Sequence, residues 1–593
     1  MQKLSMKWDL DTLFSGGSDS QSLHKYVEQT EEELANLESL VELYTPPKNT
    51  EQTGPLLEVV AHIQEVMKRL SEFGAFVSCL SAQNVEDKKA GQWQSKRTEM
   101  GARFDNALTA FDQKLVQVDE SIFKTMIQQP ELKELSFVLN EKREHAKDLL
   151  ELRQESLIND LSVDGYHGWG QMYDALVGKM TIEYDGEELS VGQAANKLSA
   201  SDREVRTEVF QKLQSAWDQQ SDLFSETLNH LSGFRLQMYK RRGWNHVLKE
   251  PLDYNRMTET TLNSMWETIT DYKSKYKNYL NKKAEMLELE KLSFYDVEAP
   301  VGESGQTMSY QEGAEFIVEQ FRKFSPKMAE FAEMAFKKQW IEAEDRSGKR
   351  PGGFCTSFPD SEETRIFMTY SGTPSNVATL AHELGHAYHQ HVMNDMEVMN
   401  QGYAMNVAET ASTFAEMIVA DAAVKEAKND EEKLTLLEDK VQRSVAFFMN
   451  IHARFLFETR FYEERKSGTV SAERLKQLMT DAQREAYMDS LDEYDPTFWA
   501  SKLHFHITDV PFYNFPYTFG YLFSMGIYAR ALEAGESFED KYIALLRDTG
   551  RMNVEDLAKK HLEVDIEQKE FWQNALELCV ADLEEFMEVA EKL

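Results

Sequence analysis

The tightest constraint in this chain is a nine-residue stretch, Ala381-His382-Glu383-Leu384-Gly385-His386-Ala387-Tyr388-His389, which contains the pattern His-Glu-x-x-His. On an α-helix, residues four apart leave the same face one turn apart, so His382 and His386 are placed to grip one ion. Glu383 points about 100° to the side, where a carboxylate can hold a water and take its proton without being a ligand. The flanks read as helix. Thr373 suits the N-cap, Pro374 suits the first helical position, and Val377, Leu380, Ala381 and Leu384 recur at helical spacing. The fold must therefore bring a third ligand to this helix and leave a fourth position open.

His389 is the nearest candidate and fails, because it lies seven residues from His382, about 10 Å along the axis. The metzincin spacing, Gly three and His six residues after the second His, is not met, since His389 and Val392 stand there. A carboxylate from a following helix remains. Glu409, 23 residues after His386 in Met405-Asn406-Val407-Ala408-Glu409, is the expected ligand. Two alternatives compete with it: Asn406 and Glu409 have capping-box spacing, so Glu409 can instead cap its own helix, and Glu416 is a second candidate ligand farther along.

These motifs together resemble the thimet oligopeptidase and neurolysin group of zinc peptidases, and most closely its bacterial branch, oligoendopeptidase F. The resemblance rests on His382-Glu383-x-x-His386, Val407-Ala408-Glu409-Thr410, Gly348-Lys349-Arg350-Pro351-Gly352-Gly353-Phe354 and Pro511-Phe512-Tyr513-Asn514-Phe515-Pro516-Tyr517-Thr518-Phe519-Gly520-Tyr521. It covers about the last two thirds of the chain. It implies a predominantly α, two-lobed zincin-type peptidase with a small β-sheet beside the metal helix and a deep groove. It also implies one zinc ion on His382, His386 and Glu409, Glu383 as general base, and short peptides as substrates. A His and several tyrosines of the late segment would face the metal: His506 and Tyr513 first, then Tyr521, with His504 able to take the place of His506. Two strands, 353–357 and 364–370, joined by a polar turn, would hold an extended substrate by main-chain hydrogen bonds, with Gly353, Phe354 and Tyr517 as the substrate-binding residues.

Composition bounds the rest. With 65 Lys and Arg against 102 Asp and Glu, the formal charge is −37, which argues against nucleic acid or an anionic membrane as partner. Cys79, Cys355 and Cys579 are far apart and suggest neither a disulfide framework nor a thiolate metal site, which fits a reducing cytoplasm. Charged and polar residues enter early, at Lys3, Lys7 and Trp8-Asp9-Leu10-Asp11, so no apolar run of signal-peptide length is expected, and no later stretch reads as a membrane span.

Helical patterns dominate from 19 to 155, broken at Pro46-Pro47, Gly54-Pro55 and Pro130. Leu56, Val59, Val60, Ile63, Val66 and Met67 form a packing stripe. Asp185-Gly186 marks a hairpin between residues 180 and 189. Helices are expected to begin at Ser201 with a capping box to Glu204, at Thr258 and at Ser309. The expected organisation is an N-terminal helical lobe over 1–110, a helical segment with a hairpin over 111–200, and a zinc peptidase domain over 201–593. Two other readings stay open: a metallocarboxypeptidase with the same metal helix, and a non-catalytic zinc-containing peptide-binding protein.

Overall fold

A computed structural model describes residues 3–302, 307–350 and 352–593; Pro351 of the Gly348–Phe354 motif lies outside them. The chain is predominantly α-helical, with one two-stranded and one three-stranded sheet among the described residues.

Three long helices build the first layer: α1 (Gln21–Leu43), α2 (Gly54–Gln83) and α3 (Lys88–Val116). The Ser20 side chain caps α1 and the Asp87 carboxylate caps α3, each accepting free amides of the first turn. Pro55 takes the first turn of α2, where its missing N–H costs nothing. Leu56, Val59, Val60, Ile63 and Val66 are buried as the helical period requires, while Met67 is only partly covered. This apolar cluster runs from Trp8 to Leu139 and also takes in Phe358, Phe367 and Met399. A second, larger cluster joins residues from Tyr173 to Ala590.

The hairpin forms as its turn dipeptide dictates. β1 (Thr181–Tyr184) pairs antiparallel with β2 (Glu187–Ser190), and Asp185 and Gly186 both have positive φ, 52° and 77°. The next expected cap is off by one residue: Asp202, not Ser201, caps the helix after it, its carboxylate accepting the Glu204 amide. Ser201 instead offers its carbonyl to Arg206, together with that of Ala200. Thr258 and Ser309 cap helices as expected, and Ser309 and Glu312 complete a capping box.

The second sheet has the order β3-β5-β4, with β3 (Ile341–Glu342) parallel to β5 (Glu363–Phe367) and β4 (Phe354–Phe358) antiparallel to it. α2 packs on β4 from one side, and α4 (Pro374–His391) packs on β4 and β5 from the other. β4 is the edge strand, so one side of its backbone has no ladder partner among the described residues.

α5 (Met405–Lys425) is central to the second layer, lying between α4 and the later α8 (Phe515–Ala534). Two glycines set how close these helices come. A Cβ on Gly385 would lie 2.5 Å from the Ala411 carbonyl oxygen and 2.6 Å from Ser412 Cα. One on Gly520 would lie 2.9 Å from the Asn406 carbonyl oxygen and 3.2 Å from Glu409 Cβ. Backbone meets backbone at both contacts, and only glycine permits it. Two further helices, α6 (Asp430–Val445) and α7 (Ile451–Arg465), are joined by a π-helical turn over Ala446–Asn450.

Candidate active site

α4 starts where the sequence predicts. Thr373 accepts the Asn376 amide, Pro374 follows, and the helix carries His382, Glu383 and His386 inward. α5 begins after Ala404, so Asn406 is not its cap and Glu409 sits inside the helix, free to reach across to α4. The Glu409 Oε2 atom lies 3.2 Å from His382 Nε2 and 3.5 Å from His386 Nε2. One ligand atom from each of the three residues lies within 4.8 Å of the others, close enough for a single ion.

The nitrogens facing away from this point are also engaged. His382 Nδ1 lies 3.1 Å from Glu416 Oε2, and His386 is hydrogen-bonded to the backbone of Ala408. Glu416 is itself ion-paired with Arg443. Glu416, the rival ligand in the sequence, therefore stands behind His382 rather than beside the ion position. Seven residues separate it from Glu409, which puts both on one face of α5 two turns apart. A carboxylate behind an imidazole fixes which nitrogen faces the metal.

The two carboxylates shift in opposite directions. Burial pushes Glu383 up to about 7, with the negative charge of Glu409 adding to the rise and His382 opposing it. Burial would raise Glu409 too, but hydrogen bonding and charge from His382 and His386, together with the Ser412 hydroxyl, hold it down at about 2. Burial likewise lowers His386 to about 4. A neutral His386 imidazole and an ionised Glu409 carboxylate are the protonation states that metal ligands need. Glu383 Oε2 is buried without any hydrogen-bond partner, an orphan that a water at the metal position would satisfy. His389, excluded as a ligand by its spacing, is fully buried, bonded to the Leu546 carbonyl and Thr549, and stacked on Tyr403.

Other expected residues divide. Gly353 lies beside the site: a Cβ there would come 3.4 Å from Glu383 Oε1 and 3.2 Å from the Phe367 carbonyl. The Phe354 ring stacks on Phe367 at 5.2 Å and packs against the N-terminal core, so only its main chain is left to face a substrate. In the late segment Tyr513 and Tyr517 face each other at 5.8 Å, and His504 lies 5.3 Å from the first ring and 6.4 Å from the second. Tyr517 feels both the charge of Glu409 and a hydrogen bond with Tyr513.

His506 and Tyr521 do not join this group. The short 3-10 turn Leu503–Phe505 turns His506 into the core, where it is 1% exposed, stacks on Tyr173 at 4.0 Å and contacts the Trp499 carbonyl. Tyr521 lies one helical turn below Tyr517. Its hydroxyl bonds Ser444 at 3.0 Å and its ring stacks on Phe447. Both are held in buried packing contacts, and of the two histidines it is His504 that lies beside Tyr513 and Tyr517.

Comparison with known families settles the kinship. The profile of peptidase family M3 matches residues 197–578, and one described as Oligopeptidase F matches residues 114–182. The chain belongs to peptidase family M3. Among relatives, it is 22% identical to an oligoendopeptidase F homolog of Lactococcus lactis subsp. lactis, over 99% of this chain and 98% of that one. It is 21% identical to oligopeptidase PepF of Bacillus subtilis, over 99% and 87%. Among solved structures, a putative peptidase from Chlamydophila abortus has a TM-score of 0.82 at 18% identity, covering 98% of both chains. Oligoendopeptidase-F from Enterococcus faecium has 0.69 at 18% identity, covering 97% of this chain and 100% of that one. The mostly α fold expected from the resemblance is thus the fold of known peptidases.

For this M3 peptidase the expectation moves from His506 to His504. His504→Ala is expected to lower turnover about 10²- to 10³-fold with metal content unchanged, the usual loss on removing one oxyanion donor. His506→Ala should act chiefly on thermal stability. Equal loss of turnover in both, with both folded, would return the role to His506. In sequence the two differ only in being two residues apart, and nothing there says which one the turn buries.

Proposed function

We propose that this chain is a zinc-dependent endopeptidase that hydrolyses internal bonds of short oligopeptides, working in a reducing cytoplasm. The observation that carries the reading is the convergence of His382, His386 and Glu409 beside the buried, unpartnered carboxyl of Glu383. Two imidazole nitrogens and one carboxylate oxygen are the donor set of a catalytic zinc site that keeps one position open. All three cysteines are free, which fits the compartment.

Zinc bound there would polarise the scissile carbonyl and lower the pKa of a water toward about 7. Glu383 takes a proton from the attacking water and returns it to the leaving amine, a task suited to a carboxyl already raised to about 7 by burial. Glu416 orients His382, and the Ala408 backbone orients His386. His504, Tyr513 and Tyr517 supply donors for charge that develops on the carbonyl oxygen. An extended peptide lies along the open side of β4, where main-chain hydrogen bonds hold any sequence and Gly353 leaves room beside Glu383.

Zinc analysis combined with a mass-spectrometric digest of mixed peptides tests this reading. Chelation should abolish cleavage and added zinc restore it. The ligands are recessed, with side chains 21–26% exposed. Short peptides should therefore be cut and folded proteins spared, since a folded domain must first open at a typical cost of about 5–15 kcal/mol. Cleavage of a stably folded protein at peptide-like rates would refute the size selectivity. Among the described residues no helix is long and apolar enough to cross a membrane.

A further inference from the structure

One face of α7 is turned toward the segment that carries Tyr513. Arg454, Glu458 and Tyr462 recur every four residues, so they form one stripe along the helix. The Arg454 guanidinium donates to Asn514 Oδ1 at 2.9 Å, and Glu458 Oε1 accepts the Phe512 amide at 3.2 Å. The Tyr462 ring stacks on Phe512 with centres 5.5 Å apart, and its hydroxyl accepts from Arg235 at 2.5 Å. Arg235 also donates to the Thr508 carbonyl at 3.3 Å, which accepts the Tyr166 hydroxyl at 2.7 Å. Arg454 is itself held by Asn450 at 2.8 Å and lies over the Phe498 ring at 5.2 Å, a ring that Lys502 approaches at 4.8 Å. Phe512 and Asn514 are buried on either side of Tyr513, which alone of the three is half-buried and lies next to His504 and Tyr517.

Phe512 is the strained point of this segment. Its φ is +52°, the left-handed region that a bulky side chain rarely enters. Such backbone persists only where its surroundings over-determine it, and it collects at functional sites. Here the buried ring is held by Tyr462 and the amide by Glu458. Glu458 is buried as well, and the proposed chemistry gives it no task. Burial pushes its carboxyl up to about 8, against Arg235 and the Phe512 amide, which lower it. At neutral pH it therefore offers the amide the oxygen of a largely uncharged acid.

We propose that Glu458 is a positioning residue for the peptidase reaction: by accepting the Phe512 amide it locks the left-handed turn that aims the Tyr513 hydroxyl into the site. The inference rests on the peptidase reading and deepens it, since it says what holds one of the oxyanion donors in place. Glu458 acts through Phe512 and touches neither the three converging ligands nor Glu383 among its hydrogen-bond partners. A donor stabilises the oxyanion only if it is placed before the charge develops, and a displacement of about 1 Å can cost about 10²-fold. Without its acceptor, Phe512 is free to relax to an ordinary φ, and that rotation swings the next residue, Tyr513, away from His504 and Tyr517.

The test measures kcat, KM and zinc content for one peptide across a set of variants. Glu458→Leu, which fills the same space without an acceptor, is expected to lower kcat about 10- to 100-fold while KM and zinc content stay within about twofold of wild type. Glu458→Gln, which keeps a carbonyl oxygen in place, should recover kcat to within about threefold. The decisive arm is a double-mutant cycle. Tyr513→Phe has no hydroxyl left to misplace, so adding Glu458→Leu to it should cost less than about threefold. Equal losses in the two backgrounds, an unchanged kcat in folded Glu458→Leu, or a loss confined to KM or zinc would overturn the proposal. If Glu458→Leu does not fold, Glu458→Asp decides: it keeps the acid but draws the oxygen back by one methylene, so its kcat should fall below that of Glu458→Gln, and equal or higher turnover overturns the proposal. Full turnover in Tyr513→Phe would overturn the donor role and this inference together. Absence of any peptide cleavage by the wild-type enzyme would overturn the peptidase reading itself, and the inference with it.

Discussion

Glu383→Gln is expected to keep its metal and lose about 10²- to 10⁴-fold in turnover, the scale of removing a general base. The variant is isosteric, and Glu383 is not among the three converging ligands, so His382, His386 and Glu409 are left in place. What disappears is a carboxyl beside the ion position with a buried, unpartnered oxygen. Metal analysis and kcat on one preparation check it, and near-normal turnover would remove Glu383 from the mechanism. A stability signature accompanies it. Burial raises this carboxyl from 4.5 to about 7 in the folded state, so folding retains a proton that the unfolded chain has released. The group therefore costs stability increasingly as pH rises from about 4.5 through 7. The melting temperature of metal-free Glu383→Gln should exceed that of metal-free wild type by a margin that grows across this window. A margin independent of pH would contradict the raised carboxyl.

Glu409→Ala should all but abolish metal binding, whereas Glu416→Ala should weaken it about 10- to 100-fold, the usual cost of losing a partner behind a ligand. The difference follows from position. Glu409 approaches both imidazoles from the side of the ion, at 3.2 and 3.5 Å, and its loss leaves two ligands where a catalytic site needs three. Glu416 touches only the far nitrogen of His382. Its loss also strips Arg443 of its inner partner and leaves it the pairing with Asp439 at 3.2 Å, so Glu416→Gln, which keeps the shape, is the cleaner control. Equilibrium dialysis against zinc measures both. If metal content follows Glu416 instead, the ligand assignment is wrong by two helical turns.

What could be read from the residues depended on periodicity. The four-residue step from His382 to His386, the Thr373-Pro374 start, the Asp185-Gly186 turn and the paired strands around 359–362 each rest on a local rule, and each appears in the fold. The late segment obeys no such rule. Whether His504 or His506 faces the tyrosines is decided by a three-residue 3-10 turn, and Tyr521 is lost to packing because α6 covers it through Ser444. Glu416 was visible only as a competitor to Glu409, since helical spacing puts both on one face and cannot say which reaches farther. That Lys502 and Arg454 approach the same Phe498 ring was out of reach, because the two lie 48 positions apart in the sequence.

The glycine contacts at Gly385 and Gly520 change what losing the metal means. Helices touching main chain to main chain are already at their closest approach, so nothing is left for an ion to pull together. In many small zinc domains the cation is part of the folding reaction; here the cradle is cast before the cation arrives. The empty enzyme should keep its helical circular dichroism and cooperative melt, fill and empty reversibly, and accept cobalt or manganese without rearrangement. On the proposed reading the metal would be a replaceable tool held in a rigid handle, and supply, rather than folding, would decide which ion the cell finds there.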